Sequence, residues 1–153
     1  MVLIYKLFVK KVFKLMENKI LIVASNYYEE VTKNLINGSS IFLNEKNIEY
    51  DILEVPGCFE IPFLIKKHIN NYLGFVALGC VIRGETYHFE IIANECSRKI
   101  MDISVDFNKP IGFGILTCET IDQAILRSDP SKKNKGKQAA SACMGLLNDY
   151  FKS

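Results

Sequence analysis

The chain has 153 residues, 49% of them hydrophobic, and a formal net charge of +2 at pH 7. That length and apolar content fit one globular domain spanning residues 1–153, with an ordinary core. A weak charge of mixed sign gives no electrostatic case for nucleic acid, and no apolar run approaches the roughly 20 residues needed to cross a membrane.

The five cysteines, Cys58, Cys80, Cys96, Cys118 and Cys143, show neither a CxxC pair nor any other metal-ligand spacing. Each lies among apolar or small residues. Reduced, buried thiols in a reducing compartment are therefore expected, which points to the cytoplasm. With only two histidines, neither near a cysteine pair, a zinc site is not expected.

Residues 1–15, MVLIYKLFVKKVFKL, mix apolar residues with lysines. Lys6 interrupts the apolar region and no small-residue cleavage site follows, so a secretory signal is a poor reading. A short strand or amphipathic arm, pairing with a neighbouring subunit's sheet edge, is the better one.

Lys19 to Ala24 is a continuous apolar run, the pattern of a central parallel strand covered on both faces. Ser25-Asn26-Tyr27-Tyr28 ends it, and a helical pattern runs from about Glu29 to Lys46. Aromatic rings at a strand end can stack on a planar ligand or simply pack, and for the two tyrosines both readings stand. Ile48 to Val55 reads as the second strand. Pro56 to Pro62 is then a tight loop opening a helix, with Pro62 suited to its first turn. Glu60 can accept hydrogen bonds from a ligand, or can merely suit the positive end of that helix.

The most informative stretch is Gly79 to Glu90, GCVIRGETYHFE. An apolar strand, Phe75 to Leu78, runs into it and an amphipathic helix runs out. The crevice beyond a strand's carboxyl end is the usual ligand site of an open α/β sheet, and a helix N-terminus there suits a phosphate. With Thr86 as N-cap, His88 falls two residues inside the helix, placed to exchange protons with a substrate held beside the phosphate. Pro110 to Leu116 is the last clear strand, its glycines allowing close backbone approach. A short helix to about Arg127 follows, then a polar, basic connection and a final helix expected to bury Ala139, Ala142, Cys143, Leu146, Leu147 and Tyr150. Alternating strands and helices predict a parallel sheet with helices on both faces. The right-handed crossover rule puts the loops carrying Tyr27, Cys58 to Glu60, Cys80 to His88 and Thr117 to Thr120 on one edge. Phe113, inside a strand, and Arg127, at a helix's far end, are not obviously there.

With VPGCFEIP at 55–62, GCVIRGETYHFE at 79–90, FGILTCETIDQAILR at 113–127 and NKG at 134–136, the chain resembles the lumazine synthase family, from about Lys19 to Phe151. The resemblance implies a flavodoxin-like three-layer α/β/α sandwich with a four-stranded parallel sheet. It implies a transferase of riboflavin biosynthesis that joins 5-amino-6-(D-ribitylamino)uracil to 3,4-dihydroxy-2-butanone 4-phosphate, with no metal or organic cofactor. By position, His88 matches the proton-transfer histidine. Tyr27, Cys58, Phe59, Glu60, Cys80, Val81 and Ile82 match the pyrimidine and ribityl pocket, and Phe113 matches a residue reaching a neighbouring subunit's pyrimidine. Gly84, Glu85, Thr86, Arg127 and Lys135 match the phosphate-substrate site, Glu85 through its backbone N–H. The resemblance further implies a homo-oligomer (a pentamer, a decamer or an icosahedral 60-mer) with active sites between subunits, and association with riboflavin synthase. The chain departs from the family pattern at Tyr28, in place of an asparagine, at Cys58, in place of an alanine, and at Ser128 to Ser131.

Two other classes compete. A flavin- or nucleotide-binding module of the same fold would carry a Ser/Thr/Gly-rich phosphate loop after its first strand, which Ser25-Asn26-Tyr27-Tyr28-Glu29-Glu30 is not. A shell-forming protein without catalysis has no need of His88, Arg127 and Thr86 together.

Overall fold

A computed structural model describes residues 18–152, together with Ile4. The arm expected at 1–15 otherwise lies outside these residues. Strands β1 (Lys19–Ser25), β2 (Glu49–Val55), β3 (Gly74–Ile82) and β4 (Ile111–Cys118) form one sheet in the order β2-β1-β3-β4. Every pairing is parallel. Helices α1 (Glu29–Glu45), α2 (Ile61–Lys67), α3 (His88–Asp106), α4 (Ile121–Ser128) and α5 (Lys135–Lys152) cover it. No helix among the described residues is long and apolar enough to cross a membrane.

Strand alternation divides the core in two. Ile20, Ile22 and Ala24 of β1 face Val31, Leu35 and Leu43 of α1, Ala124 of α4, and Ala139, Ala140, Cys143 and Leu147 of α5. Leu21 and Val23 face Ile61 and Ile65 of α2 and Phe89, Cys96, Ile100 and Ile103 of α3. β1 and most of β3 are buried on both sides, which is why their sequences read as unbroken apolar runs. This is the flavodoxin-like three-layer α/β/α sandwich.

The strand expected at Phe75 to Leu78 is longer. Cys80, Val81 and Ile82 stay in register with Leu116, Thr117 and Cys118 of β4, so the first third of the Gly79 to Glu90 motif is sheet. In α5, Ala142 and Leu146 are exposed and Ala140 is buried instead. The buried stripe advances through Ala139, Ala140, Cys143 and Leu147, the three-and-four spacing of one helical face.

Among the described residues no glycine has positive φ, and the left-handed residues are Asn47, Asn108 and Asn134. Asn47 and Asn108 each follow the last capped residue of a helix, α1 and α3, where a left-handed residue closes the final turn and asparagine tolerates it better than most.

α5 lies unusually close to the sheet because the facing residues are small. A Cβ on Gly112 would collide with the carbonyl of Ala139, and one on Gly114 would come within 2.6 Å of Leu78 Cδ2 and 2.9 Å of the Ala139 Cβ. Ser39 of α1 donates a 2.7 Å hydrogen bond to the Gly136 carbonyl, tying α1 to the start of α5. Gly112→Ala therefore must push α5 outward or distort β4. It is expected to destabilise the fold by about 1–3 kcal/mol, the usual cost of overpacking, read as a lower denaturant midpoint with an unchanged slope.

Candidate active site

Every β-strand points its carboxyl end to the same edge. β1 and β3 are neighbours there, yet the chain leaves β1 towards β2 on one side and returns to β3 on the other. The connecting loops diverge, and a crevice is left at this switch of strand order. A cleft of about 750 Å³ occupies it, within the range of small-molecule sites.

Three segments build the cleft. After β1 come Tyr27 and Tyr28. The two readings of this pair separate: Tyr27 is 71% exposed, whereas Tyr28 is half-buried and packs on the core beneath. Their rings meet edge to face, with centroids 4.9 Å apart. Tyr28 thus braces a ring that offers its remaining surface to the cleft, and burial raises its phenol above the usual tyrosine value.

After β2, Cys58, Phe59 and Glu60 form a short 3-10 turn leading into α2. Cys58 points inward, and Phe59 is 63% exposed beside the cleft. Sulfur hydrogen bonds pin this turn: Cys58 Sγ donates to the Cys80 carbonyl at 3.8 Å and Cys96 Sγ to the Cys58 carbonyl at 3.1 Å. Gly79 makes room for it, since a Cβ there would sit 2.6 Å from Cys58 Sγ.

The third segment is the end of β3 and the turn beyond. Cys80, Val81 and Ile82 form the floor, with Gly84, Thr86 and His88 on the same wall. Here the expected cap shifts by one residue. Tyr87 holds the N-cap position and His88 is the first residue of α3. The Thr86 hydroxyl still receives the His88 backbone N–H, at 3.5 Å, but from two residues back. A Ser/Thr side chain bonding two residues ahead is a local turn competing with a true cap. His88 is exposed at the positive end of the helix.

Four of the expected site residues do not border this cleft. Glu85 lies in the same turn and is exposed to solvent. Phe113 is 46% exposed on edge strand β4. Arg127 ends α4, its Nη1 donating to the Gln123 carbonyl at 3.2 Å. Lys135 opens α5, with Nζ 2.9 Å from Gln138 Oε1. Their helices, α4 and α5, belong to the layer opposite α3, so within one chain the sheet stands between Arg127 or Lys135 and the helix carrying His88. Conversely, Phe89, Ile91 and Ile92 border the cleft without having been expected there. Phe89 and Ile92 read as core on the helical pattern; Ile91, apolar but off that stripe and 47% exposed, carried the only usable signal.

The architecture and this cleft define a doubly wound α/β protein with a cleft of small-molecule size at its switch point. Comparison with known proteins makes the assignment specific. The family model described as 6,7-dimethyl-8-ribityllumazine synthase matches residues 17–150. Proteins bearing that name are similar over most of the chain. The one from Bartonella bacilliformis is 46% identical over 138 residues, covering 86% of this chain and 91% of its own. The one from Agrobacterium fabrum is 44% identical, covering 84% and 91%, and that of Novosphingobium aromaticivorans 44%, covering 84% and 94%. The chain belongs to the 6,7-dimethyl-8-ribityllumazine synthase family, enzymes of the transferase class.

All five cysteines are free and buried. Burial raises every thiol above its ordinary value of 9.0, to about 12 for Cys96 and Cys143. The folded state thus holds these protons more tightly than the unfolded chain. That contribution to stability is complete below about pH 9 and is lost as pH rises towards 12. A thiol-specific reagent at about pH 7.5 is expected to leave the native thiols largely unmodified and to titrate all five after unfolding. The urea midpoint should fall on raising the pH above about 9.

Proposed function

We propose that this cleft is where the chain carries out the family's reaction. That reaction joins 5-amino-6-(D-ribitylamino)uracil to 3,4-dihydroxy-2-butanone 4-phosphate, giving 6,7-dimethyl-8-ribityllumazine, phosphate and water in the penultimate step of riboflavin biosynthesis. The observation that carries the reading is the convergence of two presented aromatic rings, Tyr27 and Phe59, with His88 around one crevice at the strand ends.

The chemistry asks for orientation and proton transfer more than for a protein nucleophile. One amine condenses with a ketone and loses water, phosphate departs, and a second amine closes the ring with loss of a second water. Holding two partners in register accounts for much of such an acceleration, and a positioned acid–base group supplies most of the rest. Tyr27 and Phe59 offer stacking faces for the pyrimidine, over a floor of Cys80, Val81 and Ile82. Cys58 supports the turn, and Glu60, exposed at its end, accepts hydrogen bonds from the polar edge or ribityl chain. Gly84, the backbone N–H of Glu85, and Thr86 hold the phosphate end near the start of α3, with His88 beside them as proton shuttle.

Arg127, Lys135 and Phe113 enter through assembly. β4 is an edge strand, and Phe113, with Ile121 and Leu126 of α4, leaves apolar surface 40–46% exposed. A second copy packed there would bury this surface and present Phe113 to a neighbour's cleft. The proposed assembly is a pentamer acting in the cytoplasm, the minimum from which decamers or icosahedral shells and any association with riboflavin synthase would be built.

Pure protein incubated with both substrates should produce lumazine fluorescence above the slow uncatalysed condensation; no excess over that background would refute the reading. His88→Ala is expected to lower kcat by about 100-fold, the lower end of what a positioned acid–base group contributes, with little change in KM. Arg127→Ala should raise KM for the phosphate substrate by about 10- to 100-fold, the worth of one charge-assisted hydrogen bond. An unchanged KM in that variant would remove Arg127 from the phosphate site.

A further inference from the structure

Arg83 sits between the end of β3 and the Gly84 to Tyr87 turn, and none of the roles above uses it. Its backbone N–H donates to the Cys118 carbonyl at 2.9 Å, extending the β3–β4 ladder by one bond. Its guanidinium lies over the ring of Phe89, 4.4 Å from the centroid. Nη1 donates to Glu90 Oε1, and Nε to the two carboxylate oxygens of Glu119 at 2.9 and 3.2 Å. Arg83 therefore joins three places: the end of β3, which carries it, and through its guanidinium the first turn of α3 and the residue after β4. Phe89 and Glu90 directly follow His88, and Glu119 directly precedes Thr120, whose hydroxyl caps α4 by accepting the Gln123 N–H.

We propose that Arg83 is a positioning residue for the reaction: its guanidinium locks the first turn of α3, and so the imidazole of His88, onto the exit of β4. The inference rests on the cleft being the site of condensation. Its force comes from geometry. His88 opens α3 with no side-chain cap at Tyr87, and the only side-chain contact to its backbone N–H is the long one from Thr86. A first helical turn so loosely capped frays unless something else holds it. Arg83 does so by stacking on one residue of that turn and pairing with the next. The same cation also neutralises Glu90 and Glu119, two carboxylates that would otherwise stand unpaired close to where an anionic substrate docks. Both ion partners respond as such a pair should: the side-chain bond to Glu90 raises the Arg83 guanidinium above its usual value, and the bond from Arg83 lowers the Glu90 carboxyl.

The structural alternative is separable. Arg83, Glu90 and Glu119 side chains are 40%, 27% and 59% exposed, and ion pairs of that exposure contribute little to global stability. A merely structural Arg83 would change the unfolding midpoint and kcat together or neither. A positioning Arg83 changes kcat with the fold intact.

The test measures steady-state kinetics and thermal midpoints of the wild type, Arg83→Met, Arg83→Lys and Glu119→Gln. Arg83→Met is expected to keep its midpoint within about 4 °C while kcat falls about 10- to 100-fold, the scale of a small misplacement of a reacting group. KM for the pyrimidine should move far less than kcat. Arg83→Lys should recover little of the loss, because an ammonium cannot stack flat on Phe89 and reach both carboxylates at once. Glu119→Gln, which weakens the tie to β4 alone, should lower kcat in the same direction by less. A wild-type chain inert above background overturns the proposed function and this inference with it. With an active wild type, three results overturn this inference alone: Arg83→Met matching the wild-type kcat, Arg83→Met losing kcat only in proportion to folded protein, or Arg83→Lys matching the wild type.

Discussion

The cleft exists because β1 and β3 lie side by side in the interior of the sheet. Both strands are buried on two faces, and strands of that kind are stable only in the middle of a covered parallel sheet. The edges fall to β2, with its half-exposed pattern, and to β4, with Phe113 and Thr117 open. Once β1 and β3 are adjacent, the loop after β1 must turn one way and the loop after β3 the other. Two presented aromatic rings, a pinned 3-10 turn and the start of α3 then surround one space. Gly79 belongs to the same constraint, because any larger residue would push Cys58 and its turn away from the floor.

On the opposite layer the constraint is closeness. Glycines on β4 and small residues on α5 bring that helix down onto the sheet, and the serine and glycine of α1 and α5 bring the two helices together. This dense layer carries Arg127 and Lys135. The chain thus holds the presented rings and His88 on one side of the sheet and two of the expected site cations on the other. Under the proposed function a second copy reunites them; Phe113 of edge strand β4 and Ile121 and Leu126 of α4 stay exposed in the single chain.

Arg83 lies outside the lining of the cleft yet contacts the helix turn that borders it. The residue was legible as part of a motif, yet nothing in its neighbourhood along the chain pairs it with Glu119, which is thirty-six positions away. Only the parallel pairing of β3 with β4 places their exits together. The shifted cap is a second instance: Thr86 is a good N-cap residue by type, but the turn it closes puts Tyr87 between its hydroxyl and the helix.

By itself the sequence determined the layer architecture, the approximate strands and helices, and the edge of the sheet at which the cleft lies. These follow from local and periodic properties: unbroken apolar runs, three-and-four spacing, and loops that break both. It also singled out most of the residues that border the cleft, because loop residues at strand ends share an edge in any parallel α/β sheet. Tertiary structure alone decided that Tyr27 is presented while Tyr28 packs, that Cys58 points inward and Phe59 outward, and that the Gly79 motif begins as strand. It alone put Arg127 and Lys135 across the sheet from His88. Each depends on which side of a sheet a chain emerges and how closely two backbones approach, and neither quantity has a period along the chain.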